Sequence, residues 1–147
     1  TRKVDELLAA RSVAPPEPEA FEPRDVDPEA LPDLKSVLDQ LVAMPGVSLA
    51  ALVDREGFLI EASGEVGVGA EVAGALAACL AESSEGIGRE MGQGPLSSMI
   101  LDYEAGMLLL HAAGPSAILA VVLKDPTALG KVRYYVKKSL PELGRLV

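Results

Sequence analysis

The sequence predicts an α+β fold, in which five antiparallel strands form one sheet and helices cover both of its faces. Short apolar runs bounded by glycines alternate with longer stretches of helical periodicity. Of the 147 residues, 49% are hydrophobic but only 3% are aromatic, so the core must be built from leucine, valine, isoleucine and alanine. Such an aliphatic core suits helices packed on a sheet.

The chain divides into three parts. Residues 1–13 place Val4, Leu7 and Leu8 at helical spacing among charged residues, which predicts a short amphipathic helix. Residues 14–31 are rich in proline and acidic residues, and this composition predicts an extended linker because it buries too little apolar surface to offset ordering. Residues 32–147 are expected to form one domain.

The predicted order of elements in that domain is α-β-β-α-β-β-β-α. The first helix carries an apolar stripe from Leu34 to Val42 and ends at Pro45 and Gly46. Strands at 47–53 and 58–62 should pair as a hairpin, in which Gly57 supplies the positive φ that the turn needs. The spacing then predicts a central helix over residues 69–85.

The central helix is rich in small residues, with Val72, Leu76, Cys79 and Leu80 on one side. It is expected to fray or bend at Gly86 and Gly88, because glycine weakens a helix interior.

Three strands follow the central helix, at 96–103, 107–112 and 116–123. The last of them is apolar on both faces, which is typical of a strand in the middle of a sheet covered on both sides. A final helix carries Leu129, Val132, Val136 and Leu140 on one stripe. Pro141 is expected to end or kink it.

The charge of the chain excludes some classes of partner. A formal net charge of −9 argues against non-specific binding to nucleic acid and against adsorption to an anionic membrane. The charge is also uneven along the chain. Residues 14–30 carry six acidic residues and one basic residue, whereas residues 124–145 carry two acidic and six basic residues, and form the one candidate basic face.

The cysteine count and the apolar runs bear on location. A single cysteine excludes an intramolecular disulfide and points to a reducing compartment. No apolar run reaches the roughly 18 residues that a membrane span needs. We therefore expect a cytoplasmic protein without a membrane span.

No set of residues predicts catalysis. The one histidine, His111, lies on a predicted strand without a nucleophile or acid at motif-like spacing, so a structural or surface histidine is expected. Cys79 lies among alanines and is expected to act as a small buried hydrophobe. The glycines Gly67 and Gly69 lack the rest of a phosphate-binding motif. We expect no metal, no cofactor and no enzymatic activity.

Two stretches resemble a known family. Residues 46–60, a strand ending in Asp54, a turn with Gly57 and a second apolar strand, resemble the opening hairpin of the Roadblock / dynein light chain family. Residues 129–133 resemble the start of that family's final helix. With the order of elements, the resemblance covers about residues 32–140 and is to the bacterial MglB-like members, which implies a Roadblock-type, profilin-like fold.

The resemblance implies a homodimer and a protein partner. In the family, two copies pair along the strand at 96–103 with their central helices side by side. The residues that the resemblance places at this interface are Ser97, Met99, Leu101, Ala75 and Ala78. A small Ras-like GTPase is expected to dock on the polar surface of the central helix, at Glu82, Glu85 and Arg89.

The leading hypothesis is a non-enzymatic homodimeric regulator of a small Ras-like, MglA-type GTPase. It either activates GTP hydrolysis or stabilises one conformation of the switch loops. Two alternatives stay open. The first is a dimeric scaffold that tethers other proteins through residues 1–30, and the second is a small-molecule sensor domain.

Overall fold

The computed structural model describes residues 33–147, which form one antiparallel five-stranded sheet with the strand order β2-β1-β5-β4-β3 and helices on both faces. This confirms the predicted fold class and order of elements. The expected helix at 1–13 and linker at 14–31 lie outside the described residues. The elements are α1 (Leu34–Val42), β1 (Val47–Asp54), β2 (Leu59–Gly64), α2 (Ala70–Glu90), β3 (Ser98–Tyr103), β4 (Gly106–Ala113), β5 (Ala117–Leu123) and α3 (Leu129–Leu146), with a short 3₁₀ turn, Pro126–Ala128, before α3.

Helix α1 has the bounds that its sequence pattern predicts. Asp33 caps its first turn, because the side-chain carboxylate accepts a hydrogen bond from the backbone N–H of Ser36 at 2.9 Å. Beyond its end, Gly46 adopts a φ of +92° and turns the chain into β1. The residues that α1 buries are Leu34, Val37, Leu38 and Leu41.

The hairpin of β1 and β2 turns where the sequence predicts it. Gly57 has a φ of +97°, and the carboxylate of Asp54 accepts hydrogen bonds from the backbone N–H groups of Glu56 and Phe58 at 3.0 and 2.9 Å. An aspartate at the end of a strand thus fixes the turn, which explains why Asp54 and Gly57 together signal a hairpin.

Helices on opposite faces divide the core into two layers. Strands β1 and β5 lie in the middle of the sheet and are buried along nearly their whole length. On one face, α1 and α3 pack their leucines and valines against Leu52, Leu109 and Val121. On the other, α2 packs alanines against Val53, Leu110 and neighbouring strand residues. Two covered faces account for a strand that is apolar on both sides.

Helix α2 is longer than its glycines suggest. It runs unbroken through Gly86 and Gly88 to Glu90, so the expected fraying at these positions is wrong. The reason is its C-terminal cap: Gly92 has a φ of +69°, and the backbone N–H of Gln93 donates to the Gly88 carbonyl at 2.8 Å. This Schellman arrangement satisfies carbonyls of the last turn and offsets the low helix propensity of glycine.

Helix α3 likewise continues past a residue expected to interrupt it. Pro141 is expected to end or kink the helix; it lies inside a helix that extends to Leu146, so the expected end is wrong, while a kink at Pro141 stays a prediction. Leu143 and Val147 are buried in the α1–α3 layer of the core. Burial of these two side chains beyond the proline compensates for the one backbone hydrogen bond that proline cannot donate.

Candidate interaction surface

Strand β3 forms the open edge of the sheet. Within residues 33–147 it pairs with β4 alone. The opposite edge, β2, is partly covered, since the Lys35 ammonium group on α1 donates to the Ala62 carbonyl at 2.9 Å. An edge strand without such cover presents unpaired backbone groups to another chain.

Three of the predicted interface residues lie at this edge. Ser97 immediately precedes β3, and its carbonyl accepts a hydrogen bond from the backbone N–H of Ala112 at 3.0 Å. Met99 and Leu101 are half-buried on β3, opposite Leu110 and Leu108, and Met99 packs with these residues on the side of the sheet that α2 covers. The structure therefore brings Ser97, Met99 and Leu101 together along one edge.

The outer face of α2 and the loop before it is strongly apolar and exposed. Leu76 is 63% exposed and Ile87 is 61% exposed, although side chains of this kind are usually buried. The exposed apolar residues on this face are Val68, Val72, Leu76, Ile87 and Met91. Cys79 is exposed as well, so the expected buried thiol is wrong. Exposed apolar side chains in this number on one helix and the loop before it are typical of an interaction surface; we call these five residues the α2 apolar face.

The composition of α2 explains why its large side chains point outward. Its buried positions are Gly74, Ala77, Ala78 and Ala81, spaced so that they share one side of the helix. A Cβ atom at Gly74 would lie 2.4 Å from Cγ1 of Val53, so the helix backbone approaches the sheet closely there. The sequence contains this signal, because small residues at helical spacing define the sheet-facing stripe and leave Leu76 opposite it.

The two helix residues expected at the dimer interface differ in exposure. Ala78 is only 4% exposed in the single chain and packs against Val53 and Ile118, so little of its side chain is available to a second copy, and its place at the interface stays a prediction. Ala75 is exposed and lies on the side of the helix next to the β1–β2 turn. Its Cα is close to Gly57 of that turn, since a Cβ atom added to Gly57 would stand 3.5 Å from it. The flank of the helix nearer β3 and β4 carries Leu80, which packs against Leu110 and Ala120, and Ser84, whose hydroxyl donates to Met99 Sδ at 3.8 Å.

A groove of about 840 Å³ lies between this side of α2 and the end of the sheet. Leu76 and Leu80 form its helix wall, and Tyr103 and Met107 approach from the β3–β4 turn. Tyr103 is 58% exposed. The groove joins the α2 apolar face to the open edge, so that edge, groove and helix form one continuous surface.

The three polar residues predicted to bind a partner differ in their availability. Glu82 and Arg89 are exposed on α2. Glu85 instead forms an ion pair with Arg55 of the β1–β2 turn, with Nη1 and Oε2 separated by 2.9 Å and both side chains largely buried. Glu85 therefore fixes the helix to the hairpin, whereas Glu82 and Arg89 remain available to another molecule.

The histidine of the domain, His111, lies in the core beside α3. His111 is 2% exposed on β4, and burial, together with the charges of Arg133 and Lys137, lowers its pKa to about 4. It is therefore neutral at pH 7, in keeping with the predicted structural role. Across residues 33–147, no group of three histidine, cysteine or acidic residues is placed to hold a metal ion, and no helix is long and apolar enough to cross a membrane.

A comparison with known families matches this architecture. Residues 34–123, from the first turn of α1 to the end of β5, match the model of the Roadblock/LC7 domain. The chain belongs to the Roadblock/LC7 family. The matched residues include the whole sheet and α2, so the open edge and the α2 apolar face are parts of the Roadblock domain itself.

Solved Roadblock structures share the fold. A Roadblock/LC7 domain from Streptomyces avermitilis is 25% identical, with a TM-score of 0.63 over 76% of this chain and 98% of that one. MglB of Myxococcus xanthus is 24% identical, with a TM-score of 0.71 over 76% of this chain and 92% of that one. A structure described as MglB with tetrameric arrangement is 22% identical, with a TM-score of 0.68 over 82% and 96%.

Relatives in sequence come from an archaeon. Two uncharacterised proteins of Methanocaldococcus jannaschii are each 28% identical to this chain over 107 residues, which is 73% of this chain and 93% of each relative. The similarity therefore extends over nearly the whole length of both relatives.

Proposed function

We propose that this Roadblock protein is a homodimeric, non-enzymatic regulator of a small Ras-like GTPase of the MglA type. The observation that carries the proposal is the continuous surface formed by the open β3 edge, the groove and the α2 apolar face. A surface that is apolar, exposed and next to an unpaired strand is suited to a protein partner. The fold shared with MglB, and the tetrameric arrangement described for one MglB structure, support self-association through it.

In the proposed dimer, β3 pairs with its copy and extends the sheet across a two-fold axis. Leu76 on the outer side of α2, and Leu80 beside β3 and β4, would then contact their counterparts in the second copy and become buried. Ser97, Met99 and Leu101 lie along this edge and remain our predicted contacts. Ala75 and Ala78 remain predicted contacts on the helix, and we add Leu76 and Leu80 to them.

The GTPase is proposed to bind the exposed polar part of α2 at Glu82 and Arg89. This protein would regulate the GTPase by binding one of its nucleotide states more tightly than the other. A partner shifts a conformational equilibrium only by the difference between its affinities for the two states. Glu85 belongs to the same surface, but its ion pair with Arg55 makes a structural role the larger part of its contribution.

Titration of the full chain against an MglA-like GTPase loaded with GDP or with a GTP analogue tests this proposal. We expect binding that differs between the two nucleotide states and that a double charge reversal, Glu82→Lys with Arg89→Glu, weakens at least about tenfold. Glu142→Lys on α3 is the matched control and should leave affinity unchanged. An absence of binding in both nucleotide states would overturn the GTPase assignment.

The groove favours a second candidate function, the binding of an apolar small molecule. Its walls are mostly aliphatic, and a volume of about 840 Å³ falls within the range of ligand pockets. A thermal-shift screen distinguishes the two functions, because a ligand of the native state raises the midpoint of unfolding. Leu80→Trp, which would fill the groove, should abolish such a shift if the groove is the ligand site.

A further inference from the structure

Helix α3 presents a basic and aromatic face to solvent. It carries five basic residues and one acidic residue, Glu142, in a protein whose net charge is −9. Tyr134 and Tyr135 are 61% and 45% exposed, and their rings meet edge to face with centroids 6.1 Å apart. Four of the basic residues are exposed and one is half-buried: the exposed ones are Lys131, Lys137, Lys138 and Arg145, and the half-buried one is Arg133.

This face is built around a cation–π contact. The ammonium group of Lys138 lies 5.6 Å from the centroid of the Tyr134 ring. Val132, Val136 and Leu143 anchor the opposite side of the helix in the core. Stability of the fold therefore does not require the outer side to be basic or aromatic, and its composition indicates that it binds something acidic.

We propose that the acidic segment of this same chain, residues 14–30, binds the basic face of α3. The segment carries six acidic residues and one basic residue, so its charge complements that of α3. Phe21 lies in the middle of the segment and matches the exposed pair of tyrosines. Since both partners belong to one chain, the contact forms at a high effective concentration.

The position of α1 places the segment on the correct side of the sheet. The segment joins α1 at Asp33, and α1 and α3 pack together in one layer of the core. Phe21 precedes Asp33 by 12 residues, which span at most about 40 Å when extended. The 18 residues of α3 span only about 27 Å. The whole basic face is therefore within reach without a passage around the sheet edge.

The other candidate face is electrostatically unfavourable. Helix α2 carries Glu71, Glu82, Glu85 and Glu90 against a single Arg89, so it repels an acidic segment. The surface of α2 and β3 is therefore left for the partners of the proposed function, and α3 is occupied by the chain itself. The contact of the segment with α3 forms whether or not the protein binds a GTPase or a second copy.

Carbodiimide cross-linking of the full chain, read by mass spectrometry, tests the contact, because the reagent joins carboxylates to amines only where they touch. Cross-links from residues 17–29 to Lys131 and Lys138 should exceed those to Lys124 at least threefold. Lys124 is the matched control, since it is exposed just before α3 but lies off the basic face. The excess should fall at 0.5 M salt, where charges are screened within a few ångströms.

A charge swap separates the contact from general attraction. The pair K131E and K138E should abolish the preferred cross-links, and addition of E19K and E22K to that variant should restore cross-links between the new lysines and the new glutamates. A mixture of isotopically labelled and unlabelled protein shows whether links lie within one chain. Any of three results would overturn the proposal: cross-linking of Lys124 equal to that of Lys131 and Lys138, cross-links mainly between different chains, or a charge swap that does not restore the cross-links. In that case, binding of α3 to anionic vesicles or to an acidic protein would identify its partner.

Discussion

A neutral His111 is part of the core between the sheet and α3. Its Nε2 atom is buried and makes no hydrogen bond in the described part of the chain, while Arg133 and Lys137 add positive charge nearby. Both the loss of solvent and these charges oppose protonation, which places its pKa at about 4 rather than near its ordinary value of 6.5. Protonation of this residue is therefore linked to unfolding.

The direction of that linkage gives a prediction for His111→Leu. Between pH 6.5 and pH 4 the unfolded chain takes up a proton at this residue and the folded protein does not, so folding stability falls as the pH is lowered. The wild type should lose about 2–3 kcal/mol more than the variant between pH 7 and pH 4.5. Urea unfolding of both proteins across this range provides the measurement, and parallel pH profiles would show that His111 is not the linked group.

The ion pair between Arg55 and Glu85 predicts unequal effects of two similar substitutions. Glu85→Gln leaves a largely buried guanidinium group whose Nε already lacks a partner, whereas Glu82 is exposed one turn away. We expect Glu85→Gln to lower the free energy of unfolding by about 1 kcal/mol and Glu82→Gln by less than about 0.5 kcal/mol. Chemical denaturation compares them directly, and equal losses would mean that the pair contributes nothing specific.

At the scale of elements, the glycines of α2 perform different tasks. Gly74 lies where the helix touches Val53, and a side chain there has no room. Gly86 lies twelve residues farther along the helix. A Cβ atom added there would contact only the far end of the Arg89 side chain, at 3.7 Å. One glycine permits close packing, and the other only lowers helix propensity.

This difference predicts opposite signs for two alanine substitutions. Gly74→Ala should destabilise the protein by about 1–3 kcal/mol, because its Cβ forces Val53 or the helix to move and Val53 is stiff at χ1. Gly86→Ala should stabilise the protein by up to about 1 kcal/mol. Thermal unfolding measures both. Similar shifts in the same direction would show that α2 does not approach the sheet as closely as the structure indicates.

The same helix shows what the sequence can and cannot predict. Hydrophobic periodicity and turn residues predict all eight helices and strands of the described fold in the correct order, since these signals are local. They fail at two helix ends. Helix α2 continues to a local cap at Gly92 that offsets its glycines, and α3 continues past Pro141 because Leu143 and Val147 are buried against distant elements. Small residues form the side of α2 that faces the sheet. A search for large apolar side chains therefore selects the opposite, exposed side of the helix as the buried one.

At the scale of the whole molecule, the sheet separates two surfaces of opposite character. The α2 side combines an apolar helix face and an open strand edge with several glutamates, whereas the α3 side is basic and aromatic. The sequence shows the charge difference between its ends, but only the fold places α3 on the opposite face of the sheet from α2. This arrangement allows the α2 side to serve self-association while the α3 side takes up the acidic segment in the proposed contact.

Two equally exposed apolar residues distinguish these surfaces. Leu76 on α2 and Tyr134 on α3 are 63% and 61% exposed, so a glutamate at either position should change the stability of the single chain little. In the proposed dimer, however, Leu76→Glu buries a charge without a partner and should raise the dimer dissociation constant about 100-fold, whereas Tyr134→Glu should leave it unchanged. Sedimentation velocity at micromolar concentration measures both, with circular dichroism to confirm that each variant is folded. A folded Leu76→Glu protein that remains fully dimeric would place the interface away from α2 and leave the open β3 edge as the surface to test next.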